Sequence, residues 1–174
     1  MNESAQRCYV GVDLGGTTVS AVCITPDGTV LARRQMATRS GEGAEAVIGR
    51  LFQLVTSVIA DADGGAEVAG LGVAVAGVVD METGTVIRLP NFPGSWCGIL
   101  LGPRFEQQFG LPSFLINDAR AATLGEKTFG GGRNSRNLVM LTLGTGIGGG
   151  IVINGELYFG SEGHAGEVGH QTID

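Results

Sequence analysis

The sequence is poor in lysine, cysteine and charge. Lys127 is the only lysine in 174 residues, and 11 basic against 17 acidic side chains leave a net charge of -6. No basic stripe exists to neutralise a nucleic-acid backbone, which argues against DNA or RNA as a partner. The three cysteines, Cys8, Cys23 and Cys97, are odd in number and form no Cys-x-x-Cys pair, so neither a disulfide framework nor a metal set is written here. The longest apolar run, residues 68–79, is 12 residues long, short of the ~20 needed to span a bilayer. Residues 1–7 hold no apolar stretch of the kind a signal peptide needs, and the expected compartment is the cytoplasm. No G-x-x-x-x-G-K-[ST] occurs, so a P-loop is absent.

Glycine is abundant instead, at 31 of 174 positions where about 7% is usual. With 43% hydrophobic residues the chain can build a sizeable core, and disorder is not expected. Tyr9 to Asp13, Val19 to Ile24 and Val30 to Met36 alternate as strands around Gly15-Gly16 and Pro26-Asp27-Gly28, predicting a three-stranded antiparallel meander. Val47, Leu51, Leu54, Val55, Val58 and Ile59 recur at the helical period over 44–62, with Gly64-Gly65 to stop the helix. Residues 70–77 read as a buried strand with Leu71, Val73 and Val75 on one face and only Gly or Ala on the other, against which a helix is expected to pack.

Turn residues dominate 80–103, which reads as a long functional loop. A helix over 104–109, a strand over 113–116 and a helix beginning at Asn117-Asp118 and ending near Phe129 follow. Leu138 to Leu143, the glycine run 144–150, Ile151 to Ile153 and the Asn154-Gly155 turn then repeat the strand, Gly loop, strand and turn of the first unit, implying a duplication. The second copy has only its hairpins by Asp174, and the sequence reads as stopping partway through its second half.

Five stretches carry candidate chemistry. Asp13-Leu14-Gly15-Gly16-Thr17-Thr18 combines exposed backbone N–H groups, two hydroxyls and a carboxylate, which suits a phosphate with magnesium and equally an ordinary hairpin; the second Gly loop favours the phosphate. Gly144, Gly146 and Gly149 satisfy G-x-G-x-x-G, but Gly149 leads into a strand rather than the helix a dinucleotide site requires. Asp118 suits both a helix cap and a general base at a cleft. Glu167 and His170 stand among small residues that leave them free to reach a ligand, and Asn91 suits either a polyol contact or an Asx turn.

Together these stretches resemble the ROK family of bacterial-type sugar kinases, its glucokinase-like members in particular, within the superfamily that shares the actin-like, ribonuclease H-like ATPase fold. The resemblance covers Tyr9 to Asp174 and is carried by Gly11 to Thr17, Pro90-Asn91-Phe92-Pro93-Gly94, Asn117-Asp118-Ala119, Leu141 to Gly150 and Gly166-Glu167-Val168-Gly169-His170. It implies an α/β fold of mixed sheet flanked by helices, with residues 1–117 as an N-terminal domain and 118–174 as the start of a second, incomplete one. It implies a first phosphate loop at Asp13, Gly15, Gly16, Thr17 and Thr18, with Mg²⁺ near Asp13, and a second at Gly144, Thr145, Gly146 and Gly148. Asn91, Asn117, Asp118, Glu167 and His170 match sugar-contacting positions, Asp118 as general base, with Gly77 beside the sugar.

The implied reaction is transfer of the γ-phosphate of ATP to a hexose hydroxyl, O6 of glucose as the first expectation. In a complete protein His170 would join three cysteines around Zn²⁺. Those cysteines, an adenine-binding region and a returning C-terminal helix are not in these residues, so the expectation is an N-terminal portion, inactive alone, of a protein that forms a homodimer. The chain also departs from the family at Arg120, where Asn is usual, which alters the hydrogen bonding beside the base. Two other readings follow from the same resemblance: a fragment of a sugar-sensing repressor, and a sugar-binding or oligomer-forming module without catalysis.

Overall fold

Alternating burial shapes the first two strands, β1 (Arg7–Leu14) and β2 (Thr18–Ile24), and β3 (Val30–Ala37) joins them at the edge of an antiparallel meander in which Val10 faces Cys23 and Ser20 faces Gln35. The structure, a computed structural model, describes residues 6–62, 66–144, 146–161 and 163–170. The glycines expected to stop the first helix, Gly64-Gly65, lie outside the described residues. The chain divides into two compact units, Met1–Asn117 and Asp118–Asp174.

In the first unit the sheet order is β3-β2-β1-β4-β7, with β4 (Glu67–Val75) and β7 (Ser113–Asn117) parallel to β1. Helix α1 (Ala44–Asp61) buries Val47, Ile48, Leu51, Leu54, Val55 and Val58, and its Phe52 meets Phe105 of α2 (Leu101–Phe109) edge to face at 5.1 Å. The core lies under Val10, Val12, Leu14, Leu71, Val73 and Val75, all at most 3% exposed. Burial of such aliphatic side chains, at about 1.5–3 kcal/mol each, is the main term holding this unit together.

Two expectations are corrected here. Among the described residues no helix packs on the Gly/Ala face of β4: a side chain at Gly72 would meet nothing within 4 Å. That small face carries Asp13 instead, between its register partners Ser20 and Ala74. The 80–103 region is also not all loop. Val78–Asp80 (β5) and Thr85–Arg88 (β6) pair as a hairpin, and Phe92 and Trp96, 6% and 3% exposed, anchor the rest edge to face at 5.2 Å.

The second unit repeats the meander. Strands β8 (Leu138–Leu143), β9 (Ile147–Ile153) and β10 (Glu156–Tyr158) run in the order β10-β9-β8. Asn154 and Gly155 turn between the last two with φ of 56° and 95°, the left-handed pair that a two-residue hairpin favours. Gly148–Gly150 therefore belong to β9, not to the loop. Glycine is required there by packing: a side chain at Gly150 would meet Thr123 of α3 (Asp118–Thr128) at 2.3 Å, and one at Gly148 would meet Ala119 at 2.9 Å. The opposite sheet face presents Val139, Leu141 and Leu143 at 64%, 53% and 79% exposure.

Such a contiguous apolar face is sticky. The 174-residue chain is expected to bind an apolar dye and to self-associate, and Leu141→Lys with Leu143→Lys to suppress both. Equal dye binding by parent and double variant, measured by fluorescence, would locate the apolar surface elsewhere. Among the described residues no helix is long and apolar enough to cross a membrane.

Candidate active site

The tight connection between β1 and β2 is closed by Gly15 N–H donating to Thr18 O at 3.1 Å. A side chain at Gly15 would meet that same carbonyl at 2.8 Å, so the turn admits only glycine there. Thr38, fully buried, clamps it from below: its hydroxyl donates to Gly15 O at 2.6 Å and its N–H to Thr17 O at 2.9 Å. Arg50 of α1 donates to Thr38 O and pairs with Glu42. Thr17 and Thr18 are left exposed at the tip. Nothing in the sequence marks Thr38, an ordinary residue after a strand, and its role is visible only once β1 and β3 flank β2.

Thr38→Val keeps the shape and removes one hydrogen bond. It is expected to lower stability by about 1 kcal/mol and to speed amide exchange in residues 15–18. Unchanged exchange there would show that the strands alone hold the turn.

Three more expected residues gather in the same unit. Asn117, at the end of β7, donates from its side-chain amide to Gly77 O at 3.1 Å. Gly77 lies hard against β6, where a Cβ would meet Arg88 O at 2.2 Å. Asn91, exposed on the aromatic-anchored loop, neighbours the first turn: a side chain at Gly16 would meet its Cβ at 3.5 Å. A cavity of about 400 Å³ opens on the same loop between Ile87–Leu89 and Gly94–Cys97, lined by none of the expected residues.

In the second unit Asp118 is the first residue of α3, its carboxylate accepting from Ala119 N–H at 2.8 Å. The connection between β8 and β9 is closed by Gly144 N–H donating to Gly146 O at 2.9 Å. Side chains at Gly144 and Gly146 would meet nothing within 4 Å, so a ligand can approach this backbone closely. Thr145 lies outside the described residues. Gly148, expected with this loop, is in β9 beneath Ala119.

Glu167 and His170 are brought together, with Oε2 and Nε2 4.0 Å apart and both residues exposed. Their segment rests on β9 through main-chain contact: a Cβ at Gly169 would meet Ile147 O at 2.1 Å, and one at Gly166, whose φ is 92°, would meet Gly149 O at 2.8 Å. Arg120, 7% exposed, reaches the same segment from α3.

Burial first, then a hydrogen bond to Cys8, pushes the Cys23 thiol up to about 12, so this pair is packing rather than a nucleophile. Cys97 is exposed. Among the described residues no three His, Cys, Asp or Glu side chains are grouped to hold a metal, and His170 has only Glu167 beside it. These residues do not make a zinc site. The exposed carboxylate of Asp13, beside a turn rich in N–H groups, does fit a magnesium ion carried by a phosphate.

Residues 9–174 match the sequence profile of the ROK family. The chain is 41% identical over 165 residues to a glucokinase of Thermotoga maritima, covering 95% of this chain and 50% of that protein. It is 34% identical over 166 residues to a xylose repressor of Caldicellulosiruptor bescii, covering 95% of this chain and 41% of the repressor. The crystal structure of a ROK family glucokinase from Streptomyces griseus, in complex with glucose and AMPPNP, matches with a TM-score of 0.81 at 36% identity, covering 96% of this chain and 51% of that one. The chain thus spans about half the length of these relatives.

Proposed function

The chain belongs to the ROK family, and on that premise we propose that it carries the substrate-binding and phosphate-binding segments of an ATP-dependent hexose kinase that phosphorylates glucose at O6. Its fold is the mixed α/β fold of the actin-like ATPases. The observation that carries the proposal is Asp118 at the junction where β7 gives way to α3, next to Asn117 tied to Gly77. In this reading residues 1–117 form the N-terminal domain and 118–174 open the second.

Asp118 takes the proton of the sugar hydroxyl as the sugar oxygen attacks the γ-phosphorus, whose bond to the bridging oxygen breaks and releases ADP. Asn91, Asn117, Glu167 and His170 hold the other hydroxyls, with Gly77 beside the ring. The N–H groups of Gly15 to Thr18 and of Gly144 to Gly146, Thr145 between them, grip the phosphates. Catalysis of this kind is mostly positioning and charge stabilisation. Magnesium, when bound, neutralises charge building on the phosphates, and Asp13 is the residue that would hold it. A cytoplasmic homodimer is part of the same reading.

The 34% identity to a xylose repressor favours a second reading, a sugar sensor that binds without turnover. The test is ATP-dependent phosphorylation and calorimetric binding across glucose, mannose, fructose and N-acetylglucosamine, run on the 174-residue chain and on the longest product of its gene. Phosphorylation of glucose by the longer product supports the kinase. Tight sugar binding with no turnover by either supports the sensor, and neither activity in either leaves an assembly module.

A further inference from the structure

We infer that Arg120 is a positioning residue that braces the segment carrying Glu167 and thereby governs which hexose the protein accepts; the second clause rests on the reading of Glu167 as a sugar contact. A guanidinium at 7% exposure is costly to bury unless its donors are used. Nη2 of Arg120 directs its polar contacts at one segment. Nη2 donates to Gly163 O and, at 3.4 Å, to Ala165 O, and lies 3.9 Å from Glu167 Oε1. The guanidinium sits 5.4 Å from the centre of the Phe159 ring, a cation–π contact at the start of the same segment. One side chain therefore touches the segment at four places between 159 and 167.

The consequence is directional. Glu167 Oε1 faces Arg120 and Oε2 faces His170 at 4.0 Å, so the carboxylate is oriented from both sides. Arg120 also stands two residues after Asp118 in α3, and a single helical turn fixes Asp118 and Glu167 to a common frame. All three polar contacts are made by one nitrogen, Nη2, so lysine can keep part of them while giving up the delocalised guanidinium beside the Phe159 ring.

The test compares Arg120→Met, which keeps the length and apolar stem, and Arg120→Lys with the parent 174-residue chain. Amide exchange over 163–168 without sugar, the melting temperature, and calorimetric affinity for glucose and mannose are read on each. For Arg120→Met we expect exchange over 163–168 to rise at least about tenfold, the loss expected for charge-assisted hydrogen bonds, with β1 and β4 unchanged. Glucose affinity should fall about tenfold and the glucose-to-mannose ratio should shift, and Arg120→Lys should lie between parent and Met variant. Unchanged exchange over 163–168 overturns the bracing. So does a rise spread evenly over both units with a collapsed melting temperature, because Arg120 is then only core support. Local exchange that rises while sugar affinities and their ratio stay put overturns the role in hexose selection. A parent that binds no hexose but shows the local exchange change overturns hexose selection by this chain and leaves the brace standing, while the hexose reading itself is decided by the longer gene product.

Discussion

Asp118→Asn, in a turning-over protein that contains this chain, is expected to abolish phosphoryl transfer while fold and hexose affinity stay nearly intact. The amide oxygen of asparagine can still accept from Ala119 N–H, the 2.8 Å bond that the carboxylate makes at the start of α3, so the helix should begin where it does now. What asparagine cannot do is take a proton. Loss of a positioned base costs about 10²–10⁴-fold, and the measurement is kcat for glucose alongside glucose affinity. Activity within about threefold of the parent, below the range expected for a lost base, at unchanged affinity would reduce Asp118 to a helix-start residue.

The second large effect concerns Gly146. Its backbone does not have positive φ, and a side chain there would meet nothing within 4 Å, so Gly146→Val should fold as the parent does. In the proposed reading the space it fills is the space a phosphate needs, and the KM for ATP should rise at least about tenfold, roughly 1.4 kcal/mol, with the KM for glucose little changed. Gly150→Ala supplies the contrast. Its added methyl would meet Thr123 at 2.3 Å, and overpacking of that kind costs about 1–3 kcal/mol of stability, visible as a lower melting temperature. If the two Michaelis constants of Gly146→Val rise together, the 144–146 turn is not a phosphate grip.

Periodicity made the meander and α1 legible, because side chains that alternate, or recur on one helical face, report their burial directly. It failed where glycine replaced those side chains. Gly148–Gly150 carry no alternation to read, so β9 was expected to begin at Ile151 rather than Ile147. The hairpin of β5 and β6 is hidden for a related reason: its strands have 3 and 4 residues and are embedded in turn formers. The small face of β4 suggested close helix packing, but closeness there is met by Pro112 O, 3.3 Å from a Cβ built at Gly70.

Within the candidate site, residue types and motifs pointed to Asp13, Asn91, Asp118, Glu167 and His170. The links that hold them were out of reach. Asn117 and Gly77 are 40 positions apart, and Thr38 and Arg120 act through main-chain carbonyls that any residue would supply. Long-range hydrogen bonds to backbone leave no imprint on composition.

The contact of the Glu167 segment with β9 is made by Gly149, Gly166 and Gly169, by backbone and by the absence of side chains. In the proposed reading, mechanical support on β9 and recognition are consequently written in different residues. A Cβ at any of the three glycines would push the segment away, whereas exchanging Glu167 or His170 leaves these backbone contacts in place and removes only the side-chain pairs at 3.9 and 4.0 Å. If those two side chains hold the sugar as proposed, ligand preference can vary there while the backbone frame stays in place, and a library randomised at both positions should retain folded members at most combinations.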